Sequence, residues 1–84
     1  MNIPPRKPIT FDSPAIYQII VEGRLDPTWS DPLQGMLICP ATIDAYPQVT
    51  TLKGELSDQA ALAGVLNTLY ELHLTVISVK RLEI

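Results

Sequence analysis

The stretch Ser57–Leu82, SDQAALAGVLNTLYELHLTVISVKRL, decides the fold. Leu62, Val65, Leu66, Leu69 and Leu72 recur at the spacing that lines one face of a helix with apolar side chains. Ser57 is a good N-cap, and Asp58 stands where the positive end of the helix dipole favours a carboxylate. His73, near the helix end, is placed to meet the last carbonyls. Thr75–Leu82 then alternates β-branched with other residues, the pattern of a strand. A helix with one apolar face needs a sheet to cover, so strands are expected upstream.

Three segments meet that expectation. In Tyr17–Gly23, Tyr17, Ile19 and Val21 alternate with Gln18, Ile20 and Glu22, which predicts one well-buried and one partly buried side. Gly35–Cys39 is a short apolar run closed by Pro40, and Gln48–Leu56 alternates again. Between the first two lies Arg24–Gln34, with Asp26-Pro27 and Asp31-Pro32 steps. Asp26 as N-cap with Pro27 at the first helical position predicts one short helical turn there. Pro40–Pro47 reads as a hairpin loop with a fixed exit.

The expected class is α+β, in the order β-β-β-α-β: a four-stranded, mostly antiparallel sheet with one helix on one face. Three loop-linked strands suggest a meander, and a right-handed crossover through the helix then gives the order 3-2-1-4, with 1-2-3-4 as the alternative. Pro4, Pro5, Pro8 and Pro14 make residues 1–14 an extended leader, leaving 15–84 as a single domain.

Composition narrows the function classes. A chain of 84 residues buries only about 60% of its unfolded surface, and a core of this size supplies roughly 3–5 kcal/mol. With one cysteine and one histidine, neither an internal disulfide nor a structural zinc site is available, so oligomerisation is the expected added support. The net charge of −3 opposes a nucleic-acid surface, and the basic pairs Arg6-Lys7 and Lys80-Arg81 read as solvated ends. No apolar run is long enough for a membrane span, and the sparse cysteine suits a reducing cytoplasm.

Few residues suggest chemistry. Cys39 and His73 are the one conceivable nucleophile and base, and no third group is evident to orient the imidazole. Asp26, Asp31, Asp44 and Asp58 occupy positions that aspartate takes for backbone reasons, beside turns or at a helix start. No catalytic residue, cofactor or metal is therefore assigned. Candidates for an interface or ligand contact are Trp29 and Leu33 in the long loop, Ile20 on the second sheet face, Tyr70, and the small-residue strip of Ala60 and Gly64.

Arg24-Leu25-Asp26-Pro27, Trp29, Gly35-Met36, Thr51-Leu52-Lys53-Gly54, Asp58-Gln59-Ala60-Ala61-Leu62-Ala63-Gly64-Val65-Leu66 and Ser78-Val79 together resemble a family of small uncharacterised bacterial proteins. The resemblance spans residues 17–82 and implies no established activity. Two departures stand out: Ala63 replaces a polar residue within the helix motif, and His73 replaces the glycine that would form a left-handed cap.

The first expectation is a non-enzymatic, self-associating interaction or scaffold protein, with its own copy as partner, a dimer first, and another protein as a possible further partner. It rests on coverage: one helix dries one side of a sheet, leaving the second face or an edge strand for another subunit. The alternative is a regulatory module binding a small molecule at a subunit junction near Trp29. An enzyme using Cys39 and His73 comes third.

Overall fold

A computed structural model of the protein describes residues 14–43 and 46–82. The proline-rich leader, apart from Pro14, and Asp44 lie outside these residues. The described chain forms β1 (Ala15–Glu22), a 3-10 helix η1 (Pro27–Leu33), β2 (Leu37–Ile43), β3 (Tyr46–Leu56), α1 (Gln59–Glu71) and β4 (Thr75–Leu82).

The α+β class and the element order stand; the strand order is neither of those expected. The sheet runs β2-β3-β1-β4 with every neighbouring pair antiparallel. The meander fails because Gly23–Met36 is a crossover. That connection is fourteen residues long and contains η1, enough to carry β2 over to lie parallel with β1. β3 then folds back between them, pairing Ile19 with Leu52 on one side and Ile38 with Leu52 on the other. In the same way α1 carries the chain from β3 past β1 to β4, whose Val79 faces Ile19. Two interleaved crossovers on an antiparallel sheet are the path of the ferredoxin-like split β-α-β unit, with η1 in place of the first helix.

Other boundaries move for local reasons. Pro40 does not close β2 but lies inside it, opposite Thr50, which an edge strand tolerates. Its hairpin is correspondingly short, with Ile43 paired to Tyr46. Asp58, not Ser57, caps α1, its side chain accepting from the Ala61 backbone N–H at 2.7 Å. Asp26 caps η1 as expected, accepting from Thr28 N–H at 2.8 Å, and Pro27 opens the helix.

After α1 the left-handed cap forms without a glycine. His73 adopts φ 61°. Its N–H donates to the Tyr70 carbonyl at 3.0 Å, and Leu74 N–H donates to Leu69 at 3.1 Å. This is the paired bonding of a Schellman turn.

The core lies between the sheet and the two helices. Tyr17, Ile19 and Val21 of β1 and Leu52 and Leu56 of β3 meet Val65 and Leu69 of α1; Leu25, Leu33, Met36 and Ile38 complete it on the η1 side. Gly54 lets β2 approach closely here, since a Cβ at that position would lie 3.3 Å from the Met36 backbone, a tight contact. Neither helix contributes an ionisable side chain to this core.

Candidate functional site

The surface divides into three regions, beginning with the sheet face away from α1. Strand alternation and register place rows of side chains across that face. One row is Leu37, Lys53, Gln18 and Lys80, the next Cys39, Thr51, Ile20 and Ser78, and another Glu55, Ile16 and Leu82. Ile16, Ile20 and Leu82 are half-buried and Leu37 is exposed, but polar side chains separate them. This face is therefore mixed, in keeping with the partly buried side expected of β1.

The second region is the β4 edge. None of its eight residues is buried, although Val76, Ile77 and Val79 are apolar. Val79 lies opposite Ile19, on the side of the sheet that α1 covers, yet it remains 43% exposed, and Val76 38%. The pairing with β1 slips by one residue at Ile20/Val21, so that Ile77 is extra on β4. Among the described residues no strand pairs with the other side of β4.

The third region is the helix surface. Tyr70 is 80% exposed. It forms, with Glu71, His73, Leu74 and Thr75, the wall of an open hollow of about 460 Å³ where α1 turns into β4. Ala60 and Gly64 are exposed, and nothing lies within 4 Å of the position a Gly64 Cβ would take. That strip is thus not packed on its own sheet.

The candidate residues do not converge. Trp29 is half-exposed on η1, Leu33 is fully buried and belongs to the core, and Ile20 is on the opposite sheet face. A second hollow, about 270 Å³, opens between Gly23-Arg24, Pro40–Thr42 and Gln48-Val49. Trp29 lines neither hollow.

Cys39 and His73 are also apart. Cys39 is exposed on the edge strand β2, whereas His73 precedes β4 at the other edge. Three strand spacings of about 4.8 Å separate those edges, so the two side chains cannot act on one atom within a protomer. Asp26 and Asp58 have backbone N–H groups as their partners, the helix-cap roles that turn chemistry predicts. Hydrogen bonding to Thr28, backbone first, holds the Asp26 carboxyl below its ordinary range. Among the described residues no group of three or more His, Cys, Asp or Glu side chains is placed to hold a metal ion, and no helix is long and apolar enough to cross a membrane.

Two polar anchors escaped sequence reasoning. Thr50 is buried in β3, accepting from Leu25 N–H at 3.1 Å while donating to the Gly23 carbonyl at 2.8 Å. Gln59 Nε2 donates to the Tyr17 hydroxyl at 2.6 Å, tying the start of α1 to β1. Thr50 could have been suspected from its place in an alternating strand, as a hydroxyl on the apolar side. The Gln59 contact has no signal in the sequence, because it joins residues 42 apart.

Residues 16–80 match a family described as a domain of unknown function, DUF8691, and the chain belongs to that family. No curated protein and no solved structure matches it.

Proposed function

We propose that this member of an uncharacterised family works by binding, as a non-enzymatic, self-associating protein of the bacterial cytoplasm, whose first partner is its own copy. The observation that supports this is the β4 edge: an eight-residue strand with no buried residue and with two valines in contact with water. Such an edge presents a row of unpaired N–H and C=O groups to any compatible strand. Small size adds to the case, since a single cysteine allows no disulfide within the chain to supplement its core. Of the two places expected for a second subunit, the edge is favoured over the second face, because polar residues separate the apolar side chains there.

Light scattering on the full chain across a concentration series tests the proposal. The expected result is a mass that rises to a fixed multiple of 9.3 kDa. A folded monomer at every concentration refutes it. A small-molecule site near Trp29 draws no support from the two hollows described among these residues, neither of which Trp29 lines.

A further inference from the structure

We draw no further inference here: the strongest candidate, the outer edge of β4 with its exposed Val76 and Val79, belongs to the self-association reading already given, and nothing in the structure shows what covers it.

Discussion

β2 and β4 are both edge strands of the same sheet, and the chain holds them in opposite ways. β2 sends Ile38 into the core directly after Met36 has filled the space left by Gly54, and η1 packs against it. It also carries a proline that discourages further pairing. β4 buries nothing and leaves Val76 and Val79 in water. The two crossovers account for the contrast. η1, short as it is, lays Leu33 fully into the core beside Met36 and Ile38, whereas α1 commits Val65 and Leu69 to the core and does not shelter the outer valines of β4. One edge serves folding, and the other, among the described residues, has no strand on its outer side.

Truncating a core-facing side chain on each edge should show this most clearly. Ile38→Ala is expected to cost about 2–5 kcal/mol, the range for deleting a buried isoleucine. Val76→Ala, at a partly exposed position, should cost under about 1 kcal/mol in the monomer. Urea denaturation at dilutions where no dimer remains measures both. Equal losses would erase the distinction between the edges.

The next largest effect concerns how the chain reaches β2. Thr50 holds the exit of β1 by bonding both Leu25 and Gly23. Thr50→Val keeps the shape but leaves the Leu25 N–H without its acceptor in a buried setting, at an expected cost of about 1–3 kcal/mol. Thr50→Ser should recover most of it. If valine is as stable as threonine, the crossover is not held by this hydroxyl.

Much of this architecture was legible in the sequence, and the exceptions have physical causes. β4 was read to the residue, and the apolar face of α1 correctly, because Leu62 to Leu72 and Thr75 to Leu82 express their periods without interruption. Pairing order was not, because alternation shows that a segment is a strand and says nothing of its neighbour. The length of the Gly23–Met36 connection was the available clue, since a simple hairpin does not need fourteen residues. Pro40 misled for a related reason: it ends a central strand but not an edge strand, and edge position is a property of the fold. The candidate site was legible only as residue types. Leu33 proved to be core, Trp29 and Ile20 lie apart, and the β4 edge became visible only when strand order was known.

His73 offers a smaller and opposite effect on the β4 side. A non-glycine residue in the left-handed region carries a penalty of about 1 kcal/mol, and the turn into β4 depends on that conformation. His73→Gly is expected to stabilise the protomer by about that amount, raising its thermal midpoint by about 4–8 °C. It should leave self-association through β4 unchanged, because the substitution lies outside that strand. A lowered midpoint would mean that the imidazole itself stabilises the helix end.

The smallest effect belongs to the other crossover and depends on pH. Asp26 caps η1 through the Thr28 N–H, and that bond lowers its pKa in the folded chain. A depressed folded pKa means that the unfolded state takes up a proton first as acid is added. The stabilisation is therefore complete above the ordinary carboxylate range and disappears as pH falls through the lowered folded value. The group is fully exposed, so the effect on global stability is slight and is best read locally. Trp29, three residues along on η1, supplies the signal. An acid titration of its fluorescence should show a step in the native chain that Asp26→Asn lacks, since asparagine caps without titrating in this range. With β2 dependent on η1 and β4 independent of it, the step should accompany weaker hydrogen-exchange protection in β2 and leave β4 unaffected. Equal loss of protection in both strands would show that the two edges are coupled through the core.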